Sequence, residues 1–337
     1  VLQLEEKLQQ IGNPPKAKDD IYWALLVTVF TIFLLLNGKF SLIEKFSIML
    51  VASFTVVTII NLCALQSYEA WAVKPEELMR GLSFNFPEIK DGNNPLITAI
   101  STFGIIGVGA AELLAYPYWC IEKGYGKYVG PKEEGDEWVK RAKGWINVMH
   151  WDSWGAMVVY TFCTIAFYLL GAAILGRTGL VPEGSEMIQT LSTMYEPVFG
   201  SSARIIFLAG AIAVLFSTFF IAIAAQCRLC LDFIKVSGLA TLCSTQKKWA
   251  LKSFGIFLPI ICVSCYAFFP KPVILVLISG TMQAILLPLI GFAVLYFRYQ
   301  KSDPRLRPSK IWDLCLWVSF FGFVVIGLYQ VYAKLLS

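Results

Sequence analysis

The chain contains 337 residues, of which 57% are hydrophobic and only 15% are charged, and its mean hydropathy is +0.65. Soluble domains carry about 25% charged residues, so this composition excludes most soluble enzymes because too few polar groups remain to cover a surface in water. The 28 basic and 23 acidic residues leave a formal charge of +5, which is too small and too dispersed to indicate a nucleic-acid partner. The composition therefore predicts a protein of the lipid bilayer.

Eight apolar runs along the chain are candidates to cross a bilayer. A spanning helix needs about 20 largely apolar residues, because every backbone N–H and C=O group must be paired within hydrocarbon. The predicted spans are Ile21–Asn37, Phe40–Gln66, Pro95–Cys120, Ser153–Leu175, Arg204–Gln226, Ala250–Phe269, Pro272–Phe297 and Ile311–Ala333. We therefore expect an all-α fold, a polytopic membrane helix bundle that forms one domain over residues 1–337.

The basic residues are distributed unequally between the connections of these spans. Counted with the adjoining helix ends, the first, third, fifth and seventh connections hold 18 of the 28 Lys and Arg residues. Because basic residues concentrate in cytoplasmic loops, these connections are expected in the cytoplasm and both chain ends outside. An external start at Val1 without a signal peptide favours an odd number of spans ahead of it, so we expect a fragment of a longer multi-pass protein of the plasma membrane.

The third segment combines helix-breaking residues with an acid inside an apolar run. It reads Gly104-Ile-Ile-Gly107-Val-Gly109-Ala-Ala-Glu112, and Pro117 follows five residues later. Each glycine destabilises a helix by about 1 kcal/mol relative to alanine, and the proline removes a backbone donor. Placing an acid at membrane depth costs at least about 2.5–3.5 kcal/mol of insertion free energy. The carboxylate is therefore expected to have a ligand or a bonding partner.

Two interpretations of this segment stay open on the residues alone. Interrupted helices in transporters expose backbone groups that can coordinate a cation near the midplane. The expected ion-path residues on this interpretation are Val108, Gly109, Ala110, Ala111 and Glu112, and its metal ligands are expected to come from Glu112 and Ala110. The alternative is a tightly packed, glycine-rich face on which Glu112 is bonded to a polar group of a neighbouring helix.

A glutamine in the seventh segment is the other polar side chain that stands out. Gln283 lies close in sequence to Ser279 and Thr281, and five residues before Pro288. Serine and threonine in such positions usually bond to their own helix backbone, whereas an amide needs several partners. Gln283 is therefore a candidate to face a cavity on the ion path.

Catalytic and resident metal sites are not indicated by the sequence. Cys227 and Cys230 lie at the predicted cytoplasmic end of the fifth segment, whereas Cys262 and Cys265 lie toward the outer half of the sixth. These two pairs are too far apart to form one four-thiolate zinc site. The only histidine is His150, and HExxH, GxSxG and phosphate-loop motifs are absent. We therefore expect no enzyme activity and no cofactor.

Several stretches of the chain, taken together, resemble one family. The stretches are Gly104–Glu112 with Tyr118-Trp119, Asn37–Lys45, Ala213–Thr218, Gln226 and Gln283. They are similar to parts of the NRAMP family of divalent metal transporters. In the order given, the first three stretches resemble the sixth helix, the fourth-to-fifth connection and the eighth helix. Gln226 falls where a later glutamine of the family recurs, and Gln283 matches a glutamine of the tenth helix. The resemblance covers nearly the whole chain, as helices four to eleven of an eleven-helix protein, and three absent helices agree with the odd number expected ahead of Val1.

The resemblance implies a fold and a function. The fold is a partial leucine-transporter-like inverted repeat, in which an ion binds between the broken first and sixth helices. The function is secondary transport of a divalent metal ion, with the bilayer and the cation as partners. The metal is substrate rather than cofactor, and the resemblance leaves symport of protons open.

Three positions of the third segment depart from the family pattern. The family's sixth helix carries Met-Pro-His where this chain has Ala111, Glu112 and Leu113, so the thioether that favours soft metals and the histidine associated with proton movement are both absent. A carboxylate in place of a soft ligand suggests a harder cation such as Mg²⁺ or Mn²⁺.

Two other functions are compatible with the same departures. One is a transporter of the same fold for an amino acid or another small solute, whose carboxylate would meet the glycines of the third segment at a helix N-terminus. The other is a non-transporting membrane sensor or scaffold that has lost the family's ligands.

Overall fold

The computed structural model describes residues 19–37, 40–83, 109–182, 187–239, 243–269 and 272–336. It is 87% helical, and these residues form no strands. The main helices are α1 (Asp20–Leu36), α2 (Phe40–Leu65), α3 (Pro75–Leu82), α4 (Ala110–Glu122), α5 (Tyr125–Val129), α6 (Asp136–Leu170), α7 (Ala203–Val236), α8 (Ser244–Phe268), α9 (Pro272–Tyr296) and α10 (Lys310–Leu336). The predicted all-α fold is confirmed.

Six helical stretches among the described residues are long and apolar enough to cross a membrane. They are Ile48–Leu65, Asp136–Thr178, Met187–Val236, Thr245–Phe268, Ile274–Lys301 and Lys310–Tyr329. A shorter apolar helix, α1, has 17 residues. The predicted third span is described only from Gly109 onward, where α4 contributes 13 residues. The predicted polytopic membrane helix bundle is confirmed.

Two helices run well past the apolar segments that predicted them. The fourth predicted span begins at Ser153, whereas α6 already begins at Asp136, and α7 continues beyond Gln226 to Val236. Hydropathy indicates which part of a helix lies in the bilayer. The helix itself can continue beyond that part, because charged residues such as Lys and Glu are good helix formers. The end of α7 is set instead by Gly238, which has a φ of +70° and can adopt the left-handed turn that stops a helix.

The chain divides into two compact units, of which the first comprises residues 1–84 and 162–273. In this unit α2 approaches α7 so closely that a Cβ atom at Gly210 would overlap the Phe54 ring. Tyr195, from the short helical turns before α7, is completely buried beside them. The Tyr195 hydroxyl lies 2.7 Å from the Thr58 hydroxyl. Thr58 itself donates to the backbone carbonyl of Phe54, so Tyr195 is the donor to Thr58.

The second unit comprises residues 85–161 and 274–337. Here α9 packs against α10 where Gly327 faces Pro288, since a Cβ atom at Gly327 would lie 2.7 Å from the Pro288 Cγ. Beyond the end of α9, Arg298 makes two parallel hydrogen bonds of 2.8 and 2.9 Å to the Asp313 carboxylate of α10. This packing holds α9, which carries Gln283, in a defined position within the unit.

Candidate functional site

The N-terminus of α4 lies inside the predicted third span. Gly109 has an extended backbone (φ −67°, ψ 167°), and helical geometry begins at the next residue, Ala110. The first helical bond runs from the Leu113 N–H to the Gly109 carbonyl at 3.1 Å. The glycine-rich stretch therefore contains a helix start, as its composition predicts, although Val108 lies outside the described residues.

Glu112 is the third residue of α4, in the first turn of the helix. The positive end of the helix dipole favours a carboxylate at this position, which explains how an acid is accommodated here. Its side chain is exposed, and the Oε2 atom reaches back so far that a Cβ atom at Gly109 would overlap it. The carboxylate therefore lies against the backbone at the start of its own helix.

Gln283 of the neighbouring helix α9 also reaches the N-terminus of α4. Its Oε1 atom accepts a hydrogen bond of 3.3 Å from the Ala111 N–H, and this oxygen would also overlap a Cβ atom at Gly109. The side chain is half-buried, and its Nε2 atom lies 3.5 Å from the Ser279 hydroxyl. Gln283 therefore pairs with the neighbouring α4 and carries an amide oxygen to the helix start, and its expected position beside a cavity stays a prediction.

We call this group the Gly109 corner; its members are Gly109, the Ala111 N–H, the Glu112 carboxylate and the Gln283 amide oxygen. Two side-chain oxygens from different helices approach the same Cα atom, and only glycine leaves room for both. The corner therefore brings together four of the six predicted ion-path residues, two of them 172 positions apart in sequence.

The backbone carbonyls at the corner are partly used by the helix. Gly109 accepts the Leu113 N–H, and Ala110 is the first helical residue, so its carbonyl is placed to accept the N–H of Leu114. A carbonyl has a second lone pair, so the assignment of Ala110 as a ligand stays a prediction. Within the described ranges, no three His, Cys, Asp or Glu residues gather closely enough to hold a metal ion.

Two other polar side chains of the spans bond to their own helices. Ser217 and Thr281 donate to the carbonyls of Val214 and Leu277 at 2.9 Å, which is the expected bonding to their own helices. His150 stacks on Trp312, with 5.1 Å between the ring centroids and 15° between the ring planes. The nine cysteine thiols are all free.

A charged cluster in the second unit has no signal in the sequence. Asp303 accepts hydrogen bonds from Arg305 and lies 3.0 Å from the Lys132 ammonium. Arg305 also donates to the backbone carbonyls of Glu133 and Glu134. These cations hold the pKa of the Asp303 carboxyl well below its usual range. The cluster ties the stretch after α4 and α5 to the stretch after α9, so the helices that meet at the Gly109 corner are also joined beyond it.

The chain matches the family described as natural resistance-associated macrophage protein-like (Nramp) over residues 17–333. It belongs to the Nramp family. This match confirms the resemblance seen in the sequence and implies transport of a divalent metal ion, since the family's members are transporters rather than enzymes. Together with the apolar helices, it identifies an integral multi-pass membrane protein. No curated protein and no solved structure matches the chain.

Proposed function

We propose that this Nramp protein transports a hard divalent cation, Mg²⁺ or Mn²⁺, along a path that passes the Gly109 corner. The observation that carries the proposal is the convergence of two oxygens, from Glu112 and Gln283, on Gly109. Carboxylate and amide oxygens are ligands suited to Mg²⁺, Ca²⁺ and Mn²⁺.

The atoms around the corner do not favour a soft metal. The family's thioether and imidazole positions hold Ala111 and Leu113, neither of which has a donor in its side chain. The nearest cysteine along α4 is Cys120, eight residues from Glu112 and so about 12 Å away along the helix axis. Soft thiolate or thioether coordination is therefore not supported by the described part of the corner.

The charge balance at the corner favours a cation. A helix N-terminus carries the equivalent of about half a positive charge, which by itself attracts anions. The Glu112 carboxylate contributes a full negative charge at the same place, so the sum is negative. The Ala111 N–H, which would otherwise point at the ion, donates to Gln283. The amide oxygen that accepts this bond has a second lone pair, which is the one we assign to the metal.

Further ligands must complete the shell, since Mg²⁺ requires near-octahedral coordination and usually keeps several waters. We propose the Val108 carbonyl and the family's first helix as their source. Alternating access would then come from one group of helices rocking against another around the ion.

The experiment is metal uptake into proteoliposomes that contain the full-length protein. We expect uptake of Mn²⁺ and Mg²⁺ to exceed that of Fe²⁺ and Cd²⁺. Glu112→Gln should lower uptake by about ten-fold or more, the scale at which metal sites respond to altered ligation. The matched control is Glu122→Gln, which removes the same charge at the last residue of α4 and should leave uptake unchanged.

A preference for Fe²⁺ or Cd²⁺ that Glu112→Ala does not alter would contradict the proposal. Absence of metal uptake with uptake of an amino acid would favour the small-solute transporter instead. Absence of uptake for both classes, in a correctly folded protein, would favour the non-transporting sensor.

A further inference from the structure

A cavity of about 200 Å³ lies in the first unit, between α1, α7 and α8. Its walls are mainly apolar, and they include Leu35, Phe220 and Ala224. Two cationic residues, Arg228 of α7 and Lys252 of α8, also line it. These helix ends adjoin connections that the Lys and Arg distribution places in the cytoplasm. The cavity therefore combines an apolar interior with positive charge near the predicted cytoplasmic surface.

The two cations come from two different helices of the cavity wall. The Arg228 Nη1 atom donates to the Ala224 carbonyl at 2.5 Å, which holds the guanidinium against the wall one turn back along α7. Lys252 is exposed, with its Nζ atom 5.9 Å from the centre of the Trp249 ring. A guanidinium carries five N–H donors and an ammonium three, so the pair can offer donors to an oxyanion between α7 and α8.

The surrounding stretch is strongly basic. Residues 228–252 contain Arg228, Lys235, Lys247, Lys248 and Lys252 against one acid, Asp232, which leaves a net charge of +4 from five positive and one negative residue. Asp232 lies one turn beyond Arg228, and both residues also have other partners, whereas the lining of the cavity itself carries two cations and no acid. An anionic group is therefore complementary to the charged part of the cavity lining.

The interior of the cavity suits a hydrocarbon chain. Gly255 of α8 lines it, and a Cβ atom there would lie 3.7 Å from the Leu35 Cβ, an ordinary contact distance. A single Cβ atom at this position would already touch Leu35, so a larger side chain would extend into the cavity that Gly255 lines. Phe220 is 1% exposed and contributes an apolar wall, so a free inorganic anion would meet hydrocarbon where an acyl chain would find contacts.

We propose that this cavity binds an anionic phospholipid of the cytoplasmic leaflet, with the phosphate between Arg228 and Lys252 and part of one acyl chain against Leu35 and Phe220. Basic pockets between transmembrane helices on the cytoplasmic side are suited to anionic headgroups, and that leaflet is rich in anionic lipids. A bound lipid would connect the end of α1 to α7 and α8. The site shares no residue with the Gly109 corner.

The test uses the full-length protein in phosphatidylcholine nanodiscs titrated with phosphatidylglycerol. We expect native mass spectrometry to show retained phosphatidylglycerol and the unfolding midpoint to rise with its concentration. Each lost cation should weaken binding by about five-fold, the scale for a basic residue near an anionic surface, so Arg228→Gln and Lys252→Gln should each lower retention. Lys252→Gln keeps the test valid if Arg228→Gln does not fold, because Lys252 is exposed.

The matched control is the double variant Lys247→Gln, Lys248→Gln. It removes two charges from the same connection but none from the cavity lining, and it should keep the wild-type affinity. An equal loss in this control and in Arg228→Gln, Lys252→Gln would overturn the proposal, because diffuse electrostatics would then explain the binding. Equal retention of phosphatidylglycerol and phosphatidylcholine would overturn it as well.

Two further experiments distinguish binding of a phospholipid from binding of a free anion. Gly255→Leu fills the apolar part without changing charge and should reduce phosphatidylglycerol retention, provided that the lipid-free unfolding midpoint matches the wild type. Inorganic phosphate and glycerol phosphate at equal concentration should not raise the midpoint. Stabilisation by free phosphate equal to that by the lipid would instead identify an anion site, and an unaffected Gly255→Leu would exclude the acyl-chain contact.

Discussion

A buried polar pair of the first unit, Thr58 and Tyr195, contrasts with the polar groups of the Gly109 corner in the second unit. In the first unit, Thr58 and Tyr195 are completely buried and hydrogen-bond each other at 2.7 Å. At the Gly109 corner of the second unit, Glu112 is exposed and Gln283 is only half-buried. A buried polar group must be paired to avoid a large penalty, so the first arrangement contributes structure, whereas the second leaves oxygens accessible to a ligand.

The largest expected effect comes from a methyl group at the corner. Gly109→Ala places a Cβ atom where the oxygens of Glu112 and Gln283 now lie, so both oxygens must move. Displacement of positioned groups by about 1 Å can cost about 10²-fold in rate, and we expect proteoliposome uptake to fall on that scale. Gly155→Ala is the control, since a Cβ atom at that membrane glycine meets no atom within 4 Å and uptake should be unchanged.

A smaller loss of uptake is expected when the amide oxygen is removed. Gln283→Leu deletes one proposed ligand and leaves the Ala111 N–H without the oxygen that now accepts it. We expect uptake to fall by about ten-fold, with little change in the protein's detergent extraction profile. Gln300→Leu changes the same residue type at an exposed position beyond α9 and should transport normally; equal losses in both variants would remove Gln283 from the ion path.

The buried pair of the first unit should affect stability rather than transport. Tyr195→Phe removes the O–H that donates to Thr58 and should lower the free energy of unfolding by about 0.5–1.5 kcal/mol. Metal selectivity in proteoliposomes should remain that of the wild type. A change in selectivity with unchanged stability would show that the proposed division between structural and ligand-accessible polar groups is wrong.

The smallest expected effect concerns the charged cluster beyond the corner. Asp303→Asn should lower the unfolding midpoint at neutral pH by a few degrees, because it removes the partner of Arg305 and Lys132. The pKa of Asp303 is lowered in the folded protein, so its stabilising contribution is complete above the ordinary carboxyl pKa of about 4. The difference between wild type and variant should therefore stay constant from pH 8 to about pH 5 and shrink only at more acid pH. A difference that already vanishes at pH 6 would contradict this assignment.

Much of the site was predictable because its signals are local. Three glycines near Glu112 indicate a helix that cannot run uninterrupted, and the structure begins α4 at Ala110. Gln283 is conspicuous because an amide in an apolar helix needs partners. The meeting of Gln283 with the Ala111 N–H could not be predicted, since it depends on how α9 packs against α4 across 172 residues.

Neither the full length of the helices nor the charged cluster was predictable, because neither has a local signal in the sequence. Apolar runs locate the bilayer, so the helical turns of α6 before Ser153 and of α7 beyond Gln226 carry no hydropathy signal. Asp303 and Lys132 are ordinary loop residues in sequence, and only the fold brings them to 3.0 Å.

The most direct test of the central claim is binding of Mn²⁺ to the purified full-length protein, followed by electron paramagnetic resonance of the free ion. The oxygen-ligand account predicts saturable binding that weakens by about ten-fold or more in Glu112→Gln and stays at the wild-type level in Glu122→Gln. Identical Mn²⁺ affinity in the wild type and both variants would show that the carboxylate at the start of α4 does not contact the transported ion.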